Sequence, residues 1–275
     1  RPRRRESCEI RKAAGHALLM ERYELKYTIP PSLIRPIADF VAVYCKKDPH
    51  SQASATGFYR VNNIYMDTPG YLFLRMRREG AEKRFNMRIR SYGDTPGLPY
   101  FLEIKQKWNQ VIKKYRARVT DRNWYRAYTQ PGYRIMESDT DEQEIRNRQR
   151  FERKVYTYNA QPKIFTQYRR LAWVSEVDTY ARVTFDVNLR YMTIDGYHPV
   201  PREHDLISCD SETCFDPGCS VILELKCYAA AVPFWMIDLI RHFQLRRRSF
   251  SKYLNGVQAL FGNGGGDGLS RVPVF

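Results

Sequence analysis

The chain has 275 residues, with 46 Lys and Arg against 30 Asp and Glu, a net charge of +16, and 43% apolar residues. That length and apolar share suit a folded domain with a sizeable core, and the excess positive charge calls for an anionic partner. No run of about 18 apolar residues occurs, so no transmembrane segment is expected, and six cysteines are too few for a disulfide scaffold.

In chain order, residues 1–19 read as a flexible basic arm without a signal-peptide apolar region. A period of two then predicts strands over 22–29, 58–67, 84–92, 100–107, 111–119, 163–173, 180–189 and 219–228. Helical patterns fill the gaps. Pro31 can open a helix whose Leu33, Ile37, Phe40, Val41 and Tyr44 share one face through residue 46. Further helices are expected over 69–78, 121–129, 141–152, 231–246 and 249–261. Residues 195–218 read as a long loop, and 263–275 as a flexible Gly-rich tail around Gly264, Gly265 and Gly266. One domain over 20–262 remains. Eight strands with helices between them suggest an α+β fold containing a closed eight-stranded antiparallel barrel.

Alternation places side chains on opposite strand faces. Arg84, Asn86, Arg88 and Arg90 oppose Phe85, Met87 and Ile89; Glu103 and Lys105 oppose Leu102 and Ile104. Lys114 and Arg116 oppose Tyr115 and Ala117; Arg182, Thr184 and Asp186 oppose Val183 and Phe185; Glu224 and Lys226 oppose Leu223 and Leu225. A sheet with one solvated face would look similar strand by strand. Two features favour an inward charged face. Glu precedes Lys by two residues three times (Glu24/Lys26, Glu103/Lys105, Glu224/Lys226), and the helices need apolar faces on which to dock. If they dock on the apolar strand faces, the charged faces line an interior that holds water, a metal and an anionic ligand, because an unpaired buried ion is costly. An interior of this kind suits a slim polyanion. Duplex DNA would need an external basic face or a reading helix, and no nucleic-acid partner is expected.

Cys209, Cys214 and Cys219 have a spacing that matches no zinc signature, and free thiols in a reducing, cytoplasmic setting are expected. His16, His50, His198, His204 and His242 form no metal-ligand spacing and receive no role. Gly80, Gly93 and Gly97 read as turns rather than a phosphate cradle, so contacts to a nucleotide base are not legible.

At the Glu-x-Lys strands the sequence resembles the VTC domain of the vacuolar transporter chaperone polyphosphate polymerases, within the CYTH-like triphosphate tunnel superfamily. The blocks run in order from Arg22-Tyr23-Glu24-Leu25-Lys26-Tyr27 through Ile64-Tyr65-Met66-Asp67, Gly80-Ala81 and Arg88-Ile89-Arg90-Ser91-Tyr92-Gly93 to Phe101-Leu102-Glu103-Ile104-Lys105. They continue with Tyr168-Arg169-Arg170-Leu171-Ala172, Arg182-Val183-Thr184-Phe185-Asp186 and Leu223-Glu224-Leu225-Lys226, and end at Phe250-Ser251-Lys252-Tyr253-Leu254-Asn255-Gly256. Triphosphatases of the superfamily open with E-x-E-x-K. Here the first position of that frame is Arg22, a departure that favours the polymerase branch.

The resemblance implies a triphosphate tunnel fold and transfer of the ATP γ-phosphate to a growing inorganic polyphosphate chain, with Mn2+ or Mg2+ and release of ADP. On that reading Lys26, Arg88, Arg90, Lys105, Arg170, Arg182, Lys226 and Lys252 contact phosphates, with Lys114 and Arg116 in a second rank. Glu224 is the expected metal ligand. Glu24 and Glu103 either ligate metal or salt-bridge the lining bases, and Asp186 orients an arginine. A tripolyphosphatase or nucleoside triphosphatase on the same scaffold, or a non-catalytic polyphosphate or inositol-phosphate binder, are the alternatives. A membrane subunit as partner is left open.

Overall fold

The computed structural model describes residues 22–109, 111–136, 141–197, 201, 203–208 and 220–261. The basic arm at 1–19, the tail at 263–275 and the segment holding Cys209, Cys214 and Cys219 lie outside the described residues. The fold is mixed α/β. Its strands are β1 (Arg22–Ile29), β2 (Cys45–Lys47), β3 (Tyr59–Asp67), β4 (Lys83–Tyr92), β5 (Tyr100–Trp108) and β6 (Val111–Val119). β7 (Gln161–Ser175), β8 (Ala181–Thr193), β9 (Ile207–Ser208) and β10 (Val221–Tyr228) complete the strands. The helices are α1 (Ile34–Ala42), α2 (Pro49–Ala53), α3 (Leu72–Arg78), α4 (Arg126–Thr129), α5 (Glu142–Tyr158), α6 (Phe234–His242) and α7 (Lys252–Phe261). None of the helices is long and apolar enough to cross a membrane.

All eight expected strands form, each within a few residues of its expected limits. The helix read through residue 46 stops at Ala42, because Cys45–Lys47 instead pair with Trp173–Ser175 as β2. The α2 turn was not expected. Its signal is nevertheless local: Asp48 caps it by accepting from the Ser51 amide, and Pro49 fills the first turn. Helix α5 runs six residues past its expected end at 152, to Tyr158, and closes on left-handed Asn159 (φ 47°).

The chain divides into two compact units, with β7 and β8 each contributing to both. In the first unit, β10 pairs with β1 and β8, both antiparallel. Val183, Phe185, Leu223, Leu225, Tyr27 and Ile29 point to one face and pack with Ile37 and Val41 of α1 and Trp235, Met236 and Leu239 of α6. In the second unit, β3, β4, β5 and β6 form an antiparallel run of neighbours. Ile64, Met66, Met87, Ile89, Leu102 and Ile104 meet Phe73 of α3 and Phe151 and Val155 of α5. In both units, therefore, helices cover the apolar strand faces, as the alternation argument expected. The charged side chains occupy the other face. β1 and β6 each ladder with a single strand, β10 and β5 respectively.

Candidate functional site

Register assembles the first unit's polar face. Lys26 stands opposite Glu224, which stands opposite Thr184; Glu24 stands opposite Lys226, which stands opposite Arg182. Opposite charges face each other across β1 and β10, whereas on the β8 side Lys226 faces another cation, Arg182. The Glu224 carboxylate, only 9% exposed, accepts from Lys226 Nζ at 2.9 Å. Lys26 Nζ donates to the Phe250 carbonyl at 3.1 Å. Arg170 grips Asp186 with two parallel bonds, Nε to Oδ1 at 2.6 Å and Nη2 to Oδ2 at 2.8 Å, and the Asp186 side chain is fully buried. This is the arginine-orienting role expected of Asp186, and the paired geometry is the strong form of such a contact. Arg182 reaches Asp48 at 3.3 Å, so the carboxylate that caps α2 also holds a site arginine.

The second unit's polar face is built differently. Arg88 Nε donates to Glu103 at 2.6 Å, and its Nη1 lies 3.4 Å from the Tyr65 hydroxyl. Arg90, 6% exposed, donates from Nε to Asn63 Oδ1 at 2.8 Å and from Nη2 to the Tyr168 hydroxyl at 3.1 Å. Arg116 approaches the other Glu103 oxygen at 3.6 Å and covers the Phe101 ring at 3.7 Å. Lys252 sits 4.7 Å from the centre of the Tyr168 ring, and Tyr253 stacks on Tyr65. Lys105 lies two residues along the same face, opposite Lys114.

Charge on this face is biased towards the cation. Burial opposes charge on Arg88, but Glu103 beside it raises its pKa well above the usual value. Burial raises the Glu103 carboxyl, yet Arg88, Arg90 and Arg116 together hold it well below the carboxylate range. Tyr65 follows the same contest: burial pushes its phenol up, and Arg88, Lys252 and Arg90 bring it below the ordinary value. Glu103 is salt-bridged to both Arg88 and Arg116.

The sequence reading passed over Asn63, Tyr65 and Tyr168 as site groups. A signal existed for the first two, since alternate polar residues in a strand otherwise rich in apolar ones share a face. It also missed Asp67. That buried carboxylate accepts from the Thr68, Phe73 and Leu74 amides and the Tyr253 hydroxyl, tying β3, α3 and α7 together. Desolvation raises its pKa, and those hydrogen bonds oppose the rise. Cys45 and Cys227 are free and buried, and burial pushes the Cys45 thiol up to about 12, so it is no nucleophile at neutral pH.

Divalent metal can be tested against these groups. No set of three or more His, Cys, Asp or Glu side chains among the described residues could cage a metal ion. A hard cation such as Mg2+ needs only one or two carboxylates plus waters and phosphate oxygens. Glu224 meets that sparse requirement, with the buried Thr184 hydroxyl, which has no hydrogen-bond partner among the described residues, opposite it in register. Glu24 is the second carboxylate on the same face.

The VTC domain profile matches residues 21–261. The chain belongs to the VTC domain family. Membership supports a polyphosphate- or triphosphate-related function in a phosphotransferase-type enzyme. No curated protein is significantly similar to the chain. Among solved structures, a provisionally assigned adenylate cyclase from Bacillus halodurans is 9% identical, over 84% of this chain and 96% of that one, with a TM-score of 0.47. The PH1819 protein from Pyrococcus horikoshii OT3 is 11% identical, over 85% of this chain and 96% of that one, with a TM-score of 0.38.

Proposed function

We propose that this VTC domain is a metal-dependent polyphosphate polymerase, with a closed tunnel barrel of the triphosphate type. It would transfer the γ-phosphoryl group of ATP to the end of an inorganic polyphosphate chain. The bond from the γ-phosphorus to the β,γ-bridging oxygen breaks, ADP leaves, and a terminal oxygen of the acceptor takes its place on phosphorus. The acceptor oxygen is already anionic, so the chain need supply no strong base.

One observation carries the reading. On a partly buried polar face Arg88 is held by Glu103 and the Tyr65 hydroxyl, and Arg90 by the neutral Asn63 and Tyr168 groups. Glu103 offsets only one of the three guanidinium charges of Arg88, Arg90 and Arg116, so the face keeps net positive charge for a ligand. Phosphoryl transfer depends on such positioning and charge neutralisation rather than on covalent chemistry. Arg88 and Arg90 would clamp equatorial oxygens, and Lys105, Lys252, Lys114 and Arg116 would add charge along the chain. In the first unit, Lys26, Lys226, Arg170 and Arg182 would hold phosphates. Glu224, with Glu24, would hold Mn2+ or Mg2+, which would supply positive charge against the charge that develops on the phosphates. Arg22, at the position where triphosphatases carry a carboxylate, lies over the Tyr180 and Tyr228 rings at 4.3 and 5.4 Å. A cation tied there supports chain extension over hydrolysis. The reading includes ATP and polyphosphate as substrates, a cytoplasmic setting and no nucleic-acid partner.

The test is incubation of the purified protein with ATP and Mn2+, reading ADP, free phosphate and polymer separately. Polymer with matching ADP is expected. ADP with an equal amount of free phosphate would make the protein a triphosphatase, and tight polyphosphate binding without turnover would make it a binder.

A further inference from the structure

The second unit has a cavity of about 370 Å³ that the proposed chemistry does not use, lined by Arg60, Gln167, Arg169, Asn188, Arg190 and Glu203, with Tyr168 at its side. The alternation of β3 and β7 separates it from the Arg88–Arg90 face. Asn63 and Tyr168 bond to Arg90, whereas the neighbouring Asn62 accepts from Gln167 on the opposite strand face. Gln167 and Arg169 follow Phe165 of the hydrophobic core along that face.

The lining is made for an anion. Three guanidinium groups meet one carboxylate there. Arg190 is oriented from two sides, by the Gln167 amide oxygen and the Glu203 carboxylate. Arg60 is held by Asp94 through an ion pair at 3.4 Å, and because Asp94 is 85% exposed that pair neutralises little of the charge. The Arg169 side chain borders the cavity and makes no hydrogen bond or ion pair among the described residues. Gln167 is itself buried, and its amide donates to Asn62. The volume falls within the range of small-ligand sites, the lining is polar rather than apolar, and planar guanidinium groups suit phosphate oxygens.

We propose that this cavity is a second anion site, taking a small free phosphate-bearing anion of pyrophosphate size, distinct from the Arg88–Arg90 face. Glu203 gates its affinity, because the carboxylate that orients Arg190 also competes with the ligand for it. The inference does not depend on polymerase activity.

The experiment is calorimetric titration of the full chain with inorganic pyrophosphate without metal, on wild type and three variants. Two classes of site are expected in the wild type. The double variant Arg60→Ala/Arg169→Ala should weaken one class by at least about tenfold while the other persists. Glu203→Gln should tighten that same class by about threefold, a gain that a folding defect cannot imitate. Arg88→Ala should leave it unchanged and weaken the other. A single class of site in the wild type, a double variant that binds like the wild type, or a Glu203→Gln protein that binds no tighter would each overturn the proposal.

Discussion

The two polar faces hold their arginines by opposite means. In the first unit, Arg170 and Arg182 each have their own carboxylate, Asp186 and Asp48. In the second, Arg88 and Arg116 share Glu103, and Arg90 is held by an amide and a phenol. A carboxylate partner fixes an arginine but cancels its charge. A neutral partner fixes it and leaves the charge for a ligand. The second face therefore leaves more net positive charge for an anion than the first, where each of these arginines has a carboxylate of its own.

The contrast can be broken most directly at Arg90. Arg90→Met removes a cation whose partners are neutral, so turnover with ATP should fall by about a thousandfold or more. The thermal midpoint should move little. A variant that is unfolded, or fully active, would end the claim that this arginine is held for a ligand. Arg170→Met is its counterpart. It leaves the fully buried Asp186 carboxylate without this ion pair, and removing one partner of a buried pair costs about 3–5 kcal/mol. Denaturant unfolding reads that loss, and an unchanged midpoint would erase the distinction between the faces.

A similar cost of about 2–3 kcal/mol is expected for Gly256→Ala. A Cβ there would come within 2.5 Å of the Tyr191 ring and 2.7 Å of Ile164. The glycine in the F-S-K-Y-L-N-G block thus serves the close approach of α7, and the midpoint shift checks it. The effect of pH is smaller. The Glu103 carboxyl is held below its ordinary value in the folded state, so its contribution is complete at pH 7. That contribution begins to fall only below about pH 4–5, where the unfolded chain's Glu takes up protons. It vanishes in stronger acid, below the folded value. The stability gap between wild type and Glu103→Gln should stay constant from pH 7 to about pH 5 and narrow below. A gap that closes between pH 7 and 5 would refute the assignment. Lys114→Ala, on an exposed strand position, should change polyphosphate affinity by only a few-fold, about 0.5–1 kcal/mol, and stability hardly at all.

Much of the architecture was legible because strand alternation is a local property. Side chains two residues apart share a face, so Arg88 with Arg90, Glu224 with Lys226 and Arg182 with Asp186 could be grouped before any fold existed. The apolar faces of the helical segments then implied where they dock, and Ile37, Val41, Phe151 and Met236 are buried where that argument needs them. Failures occurred where a local pattern competed with a distant partner. The helical face continued to Tyr44, but the hydrogen-bonding edge of β7 claimed Cys45–Lys47 as a strand. The Asp48-Pro49 cap signal was present and went unread.

What the sequence determined by itself is the set of faces: which residues are apolar, which are charged, and the family to which their order belongs. Only the tertiary structure decided the partners. Whether Glu103 bridges arginines, whether Arg90 is held by neutral groups, and whether Arg60, Arg169 and Arg190 border one cavity all depend on register and on residues of different strands meeting in space. Alternation follows from the geometry of a single strand. Neutralisation of a charge follows from which strand lies beside it, and that is set by the packing of the whole sheet.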